Sequence, residues 1–189
     1  MKDFNDLKIL IAGEGGQGVQ TIAKILLKAG YEKGIKVSYI PNYGVEQRGG
    51  VSIAFLLIQK KPVIYPKFQK GDIVVILSER SIMRCWRYVD KETTLIYNSS
   101  YITQKLLNSQ KPRIKNLIPI DADNLANNKV REPRVFNMIV LGALLSKLPI
   151  TLSEMKKTLK KVLGYKYKKN HKLEEKNNQA LELGFKSTK

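Results

Sequence analysis

Three short runs along the chain, residues 7–12, 51–58 and 73–77, are almost wholly apolar. Runs of this length read as strands buried on both faces, as in a parallel sheet covered by helices. Between the first two lies a different period. Val19, Ile22, Ala23, Leu26, Leu27 and Gly30 recur at 3.6-residue spacing, with Thr21, Lys24, Lys28 and Glu32 on the opposite side. The spacing predicts a helix ended by Gly34, and residues 35–40 then read as a second strand. Strand, glycine turn, helix and strand make a βαβ unit with an expected right-handed crossover.

The pattern continues less regularly. A turn at 59–61 leads to a short strand at 63–65, placed at a sheet edge by Pro62 and Pro66. Ser78 can cap a helix running to about 89, and 94–97 reads as a strand. Residues 98–132 are polar and rich in asparagine; a strand is expected within 113–120 and a short helix from Asp121. Residues 135–148 form a helix apolar nearly all round, hence buried, and Pro149 breaks it. Thr151 and Glu154 have the spacing of a capping box. After them Leu152, Met155, Leu159 and Val162 line one helix face, with Lys156, Lys157, Lys160 and Lys161 mostly outside. A last helix is expected over 169–183. The expected architecture is α/β: one Rossmann-like domain over 1–189, with a mostly parallel sheet and an edge hairpin in 1–130 and helices in 131–189.

Charge changes this picture most. The chain has 189 residues, 34 Lys plus Arg against 16 Asp plus Glu, and a net charge of +18. Either an anionic partner or simple decoration of solvent faces with lysine accounts for it. Much of the excess lies in 156–189, where eleven lysines meet three acids. A nucleic-acid binder would need a stacking surface or a reading helix, and neither stands out. Cys85 and His171 are the sole residues of their types. They supply too few ligands for a zinc site or an iron–sulfur cluster and allow no internal disulfide. A reducing, cytoplasmic setting fits. The start, MKDFNDLKIL, carries two acids and no apolar core, unlike a signal peptide. The most apolar stretch, 135–145, is about half of the ~20 residues needed to span a bilayer. A soluble protein is expected.

Two glycine-rich segments carry the chemistry. In GEGGQGVQ, residues 13–20, Gly13, Gly15 and Gly18 have the dinucleotide-binding spacing, after a strand and before a helix. That motif serves tight turning, close approach of a pyrophosphate, and helix–strand packing. Two features oppose a nicotinamide site. The second strand ends Ser38-Tyr39-Ile40-Pro41 with no acid for the ribose hydroxyls, and Glu14 puts a negative charge in the loop. Either a ligand-free turn or another phosphate-bearing or acidic ligand stays open beside it. The second segment, PNYGVEQRGG, follows the second strand and should reach the same end of the sheet. Arg48 suits carboxylate or phosphate. Glu46 can pair with Arg48, Tyr43 can stack on a planar group, and Gly49 and Gly50 allow close approach. The plainer reading is a surface loop with a Glu–Arg pair worth under ~1 kcal/mol.

GEGGQGVQTIAKILLKAG, then PNYGVEQRGG, VSIAFLLI, YP and GDIVVILS, closely resemble the gamma subunit of 2-oxoacid:ferredoxin oxidoreductases, nearest to the 2-oxoglutarate type. FNMIVLGALL, with Asn137, and NNQALELGF resemble that family's later blocks, and the similarity is weakest over 98–132. The resemblance implies a complex that decarboxylates a 2-oxoacid on thiamine diphosphate, passes electrons through iron–sulfur clusters to ferredoxin and transfers the acyl group to coenzyme A. It implies thiamine-binding alpha and beta partners and admits a ferredoxin-like delta chain. Thiamine diphosphate, magnesium and the clusters would sit in those partners, since Gly71-Asp72 here continues into Ile73 instead of a Gly-Asp-Gly motif. This chain would be a non-redox subunit, inactive alone, at the substrate or coenzyme A side. By resemblance the binding residues are Gly13, Gly15, Gly16, Gln17, Gly18, Tyr43, Gly44, Glu46, Arg48, Gly49 and Gly50, with no catalytic residue. The rival is a stand-alone NAD(P)-binding protein. Asn137, an amide in an apolar helix, is expected to brace the glycine segments. Cys85 and Trp86 are expected to pack in the core or at its edge, and His171 to face solvent.

Overall fold

The computed structural model describes residues 6–43, 50–60, 67–110 and 114–188. The three apolar runs are the centre of a six-stranded sheet: Leu7–Glu14 (β1), Val51–Gln59 (β3) and Ile73–Ile76 (β4). Lys36–Tyr43 (β2), Thr94–Asn98 (β5) and Asn116–Ile120 (β6) complete it in the order β2-β3-β1-β4-β5-β6. β1, β4, β5 and β6 are mutually parallel, and β3 runs antiparallel to both neighbours, β1 and β2. The sheet is therefore mixed but mostly parallel.

Burial on two faces explains the unbroken apolar runs. Successive strand residues point to opposite sides. Ile9 and Ile11 of β1 join one core cluster, Leu10 and Ala12 the other. The first cluster packs under Val19–Glu32 (α1) and the later helices. The second packs under Glu79–Cys85 (α2) and Gln104–Gln110 (α3), with Phe55, Ile82, Cys85 and Leu107 inside. Core or edge packing was expected of both: Cys85 is in the core and Trp86 is half-buried.

Beyond the sheet come a helix that starts as Ala122–Asn124 (α4) and widens into a π-helical stretch, Leu125–Val130, and then Phe136–Leu145 (α5). Eight residues of α5, Met138 through Leu145, are buried, as the all-round apolar pattern requires. Leu152–Lys169 (α6) starts at the expected capping box: the Glu154 amide donates to Thr151 Oγ1 at 3.2 Å, and the Thr151 amide to Glu154 Oε2 at 2.7 Å. His171–Lys186 (α7) packs across α5 and back along α6.

Several differences from expectation have physical causes. β3 stands between β1 and β2, so the first βαβ unit skips one place; its antiparallel insertion depends on non-local pairing. The helix after Ser78 ends at Cys85 and tightens into a 3₁₀ turn, Trp86–Tyr88. α3 was not anticipated, because Gln104–Gln110 offers only Leu106 and Leu107 as apolar positions. The edge strand expected at 63–65 lies outside the described residues. Among the described residues no helix is long and apolar enough to cross a membrane.

Candidate functional site at the carboxyl rim of the sheet

β1 delivers the first glycine segment to the rim where the parallel strands end. Gln17 holds it there: its Oε1 accepts from the Glu14 amide at 2.7 Å, and its Nε2 donates to the Leu77 carbonyl at 3.2 Å. One amide side chain thus closes the turn and fastens it to the end of β4. Gly18 caps α1 in the left-handed region (φ 78°, ψ 19°). A Cβ at Gly18 would lie 2.8 Å from both Cβ and Nδ2 of Asn137, so the N-terminal turn of α5 is pressed against the glycine segment. Asn137 is half-buried and does adjoin that segment, in line with a bracing role.

The second glycine segment reaches the same rim at both its ends. Tyr43, the last residue of β2, is in register with Ser52, and Glu14 with Val51. The Gly15 amide donates to the Gly50 carbonyl at 3.2 Å, a direct bond between the two segments. Gln20 of α1 reinforces the junction by donating to Ser52 Oγ at 2.7 Å and the Ile53 carbonyl at 3.1 Å, while the Tyr39 hydroxyl donates to Gln20 Oε1. Of the residues expected at the site, Gly13, Gly15, Gly16, Gln17, Gly18 and Gly50 come together, with the backbone of Tyr43 close by. Gly44, Glu46, Arg48 and Gly49 lie outside the described residues.

A cleft of about 550 Å³ opens beside this junction, lined by Glu14, Gln17, Glu79, Arg80, Tyr101 and Asp123 among others. Its charge is mixed. Arg80 approaches Glu14 at 3.8 Å, a partly exposed pair worth under ~1 kcal/mol, and Glu79 and Asp123 add two further carboxylates. Asp123 is held by the buried Asn98, whose Nδ2 donates to Asp123 Oδ2 at 2.8 Å and leans on the Leu77 carbonyl at 3.4 Å. The electropositive surface anticipated from net charge does not extend into this cleft. Gln20, Arg80, Asn98 and Asp123 were not singled out from sequence. Asn98 and Asp123 fall in the stretch of weakest pattern, and no local spacing marks the other two.

The cleft suits hydrogen bonding and enclosure better than bond-making chemistry. The Ser81 hydroxyl beside it donates to the Ser78 carbonyl at 2.7 Å, and no imidazole lines it. Cys85, the one thiol, is buried, and burial pushes it up to about 12, which favours its protonated form. Among the described residues no group of three or more His, Cys, Asp or Glu side chains is placed to hold a metal. A nicotinamide site is disfavoured twice: β3 separates β1 from β2, and β2 ends Pro41-Asn42-Tyr43 without an acid.

Comparison with known proteins agrees with this geometry. The family model for pyruvate ferredoxin/flavodoxin oxidoreductase matches residues 8–187. The 2-oxoglutarate synthase subunit KorC of Archaeoglobus fulgidus is 28% identical over 180 residues, 95% of this chain and 87% of that protein. The common gamma subunit of the pyruvate/ketoisovalerate oxidoreductases of Thermococcus kodakarensis is 30% identical over 190 residues, covering 96% and 97% of the two chains. Among solved structures, the 2-oxoglutarate:ferredoxin oxidoreductase of Magnetococcus marinus, with 2-oxoglutarate, coenzyme A and succinyl-CoA bound, shares the fold. Its TM-score is 0.84 at 19% identity, covering 98% of this chain and 31% of that one. Nothing in these matches favours a stand-alone NAD(P)-binding protein. The chain belongs to the pyruvate ferredoxin/flavodoxin oxidoreductase family, as a gamma subunit of a 2-oxoacid:ferredoxin oxidoreductase.

Proposed function

We propose that the rim made by the two glycine segments closes the substrate and coenzyme A side of a site whose thiamine diphosphate, magnesium and iron–sulfur clusters belong to alpha and beta partner chains, in a cytoplasmic complex that reduces ferredoxin, with a ferredoxin-like delta chain where one is present. The observation that carries it is the Gly15–Gly50 bond, which supports one shared contact surface built from both segments. In this reading residues 1–189 act as one domain, with the sheet part, 1–130, bearing the rim and the helices of 131–189 bracing it. The residues of the rim are Gly13, Gly15, Gly16, Gln17, Gly18, Tyr43, Gly44, Glu46, Arg48, Gly49 and Gly50. None of them is catalytic; they shape and close the site.

Charge refines the reading. With Glu14, Glu79 and Asp123 in the cleft, coenzyme A phosphates are repelled there, so the rim meets a less charged part of the co-substrate. The choice of 2-oxoacid lies with the thiamine-bearing chains. One relative bears the name of a subunit common to pyruvate and ketoisovalerate enzymes, and another that of a 2-oxoglutarate synthase subunit, at similar identity. 2-Oxoglutarate is the first substrate to test.

Co-expression with the thiamine-binding chains should give a stable complex that reduces a viologen dye with 2-oxoacid and coenzyme A, while the isolated chain reduces none. In that complex Gln17→Ala should raise the KM for coenzyme A or lower kcat several-fold. A chain that stays monomeric beside such partners, or a Gln17→Ala complex with unchanged kinetics, refutes the reading.

A further inference from the structure

The basic stretch that the rim leaves unexplained is gathered at one place, the turn between α6 and α7. Residues 165–173, YKYKKNHKL, hold four lysines, one histidine and no acid. Tyr165, Lys166, Lys168, Lys169, His171 and Lys172 are all exposed there. The Tyr165 ring is 63% exposed, with Lys166 Nζ at 5.8 Å from its centroid. The turn that presents them is anchored. Tyr167, in the middle of the stretch, is buried, and its hydroxyl accepts from Asn177 Nδ2 of α7 at 3.1 Å. The Asn170 amide donates to the carbonyls of Lys166 and Tyr167 at 3.0 and 3.2 Å, and the Leu173 amide to that of Asn170 at 3.1 Å.

Local structure accounts for part of this charge. Lys166, Lys168 and Lys169 close α6, where cations complement the negative end of the helix dipole. Lys172 opens α7, where the dipole disfavours a cation, so helix formation does not explain the cluster as a whole. The next residues, Glu174 and Glu175, are acids, and Glu174 is met by Lys160 at 3.6 Å. The composition of the tip selects the kind of partner. Lysine heads are strongly hydrated, and lysine is depleted from the cores of lasting interfaces. A rigid, lysine-dense tip with one exposed ring suits a partner that is steered in by charge and leaves again. A second copy of this chain would bring +18 against +18. In the function proposed above the partner that must come and go at each turnover is the electron-acceptor protein, and the family description names ferredoxin or flavodoxin in that place.

We infer that the α6–α7 turn is a docking surface for an acidic face of the acceptor protein, a ferredoxin, which the complex reduces. The four lysines meet carboxylates of the acceptor, and Tyr165 supplies the apolar contact at their edge. The turn makes and breaks no bond and carries no electron; it raises the rate of encounter and holds the acceptor against the complex. The inference rests on the proposed function, in which this chain belongs to a ferredoxin-reducing assembly.

The test uses the co-expressed complex, with ferredoxin and a viologen dye as alternative acceptors. A tip variant, Lys168→Gln with Lys169→Gln and Lys172→Gln, should raise the KM for ferredoxin about fivefold or more at low ionic strength. Its viologen reduction and melting temperature should stay close to normal, and its kcat/KM for ferredoxin should fall less steeply with added salt than that of the unaltered complex. A control with the same change of charge at three other exposed lysines, Lys67→Gln with Lys91→Gln and Lys105→Gln, should keep the normal KM. Zero-length carbodiimide coupling should join tip lysines of the unaltered complex to ferredoxin carboxylates. If the tip variant keeps the KM of the control while the complex reduces viologen, the docking surface is wrong and the subunit reading stands. If the tip variant folds but no longer assembles, the tip is a lasting subunit contact and the inference is wrong. The same holds if the unaltered chain binds duplex DNA through the tip lysines and ferredoxin does not compete. If the unaltered complex neither forms nor reduces viologen, both readings fall.

Discussion

Gly18 shows how much one position can carry. Its φ of 78° disfavours a side chain, and the Asn137 side chain occupies the place where a Cβ would go, 2.8 Å away. Gly18→Ala is therefore expected to destabilise the chain by about 1–3 kcal/mol from backbone strain alone, more than an ordinary Gly→Ala change in a loop. Urea unfolding of the isolated chain checks this; a shift under a few tenths of a kcal/mol, of the order of ordinary surface changes, would contradict it. The fingerprint spacing made Gly18 visible in the sequence, and its neighbour Asn137, far along the chain, was marked by its amide inside an apolar helix as well as by family resemblance. At the start of α5, Arg134 bonds Glu132 through Nε at 2.8 Å and Nη2 at 3.2 Å, and holds its carboxyl down at about 2. An unfolded glutamate titrates near ~4.3. The ionised group thus favours the folded state above that pH, and the benefit fades as pH falls from there toward 2. Titration of Glu132 by NMR should give a midpoint near 2, rising toward the ordinary value in Arg134→Ala; a midpoint equal in both would remove Arg134 as the cause.

At the scale of elements, the crossing of α5 and α7 explains a motif that resemblance alone could not. NNQALELGF reads as a family signature, yet its glycine serves packing. A Cβ at Gly184 would fall 1.9 Å from the Ile139 carbonyl oxygen, and one at Gly142 would fall 2.1 Å from that of Leu181. The two helices touch backbone to backbone, which brings α5, and with it Asn137, into fixed position against Gly18. Either Gly142→Ala or Gly184→Ala should cost at least ~1–3 kcal/mol, the usual range for overpacking, because the obstacle is backbone and cannot rotate away. The expected readout is a lower melting temperature together with loosened amide exchange at Gly18; unaltered exchange there would sever the link between crossing and rim. Local periodicity sufficed for α1, α5, α6 and α7, whose apolar faces or caps lie within one segment. It failed at α3, with two apolar positions, and at Leu125–Val130, a π-helical stretch that no spacing records. The insertion of β3 between β1 and β2 is likewise a non-local pairing, and the meeting of the two glycine segments depends on it.

Across the whole molecule, the division of labour between this chain and its partners rests on what its interior holds. Cys85, the last residue of α2, lies in the core with Leu10, Phe55, Val74 and Ile82, where burial favours its protonated form. A buried thiol in that state behaves as a small apolar side chain. Much of the surplus lysine pairs on the surface, as in Lys160–Glu174 at 3.6 Å and Lys161–Glu32 at 3.2 Å, and part of it, Lys24, Lys28 and Lys36, lines a groove between α1 and β2. On the proposed function, electron transfer should then be indifferent to the one cysteine. Cys85→Ala is expected to lower stability by about 1 kcal/mol, a common cost for a core truncation. In the reconstituted complex it should leave viologen reduction within twofold of normal and the paramagnetic resonance signals of the clusters unchanged. Loss of a cluster signal, with the variant still folded and assembled, would place a redox ligand in this chain. It would require Cys85 to leave the core, and the proposed assignment of the electron-carrying chemistry to the partner chains would have to be redrawn.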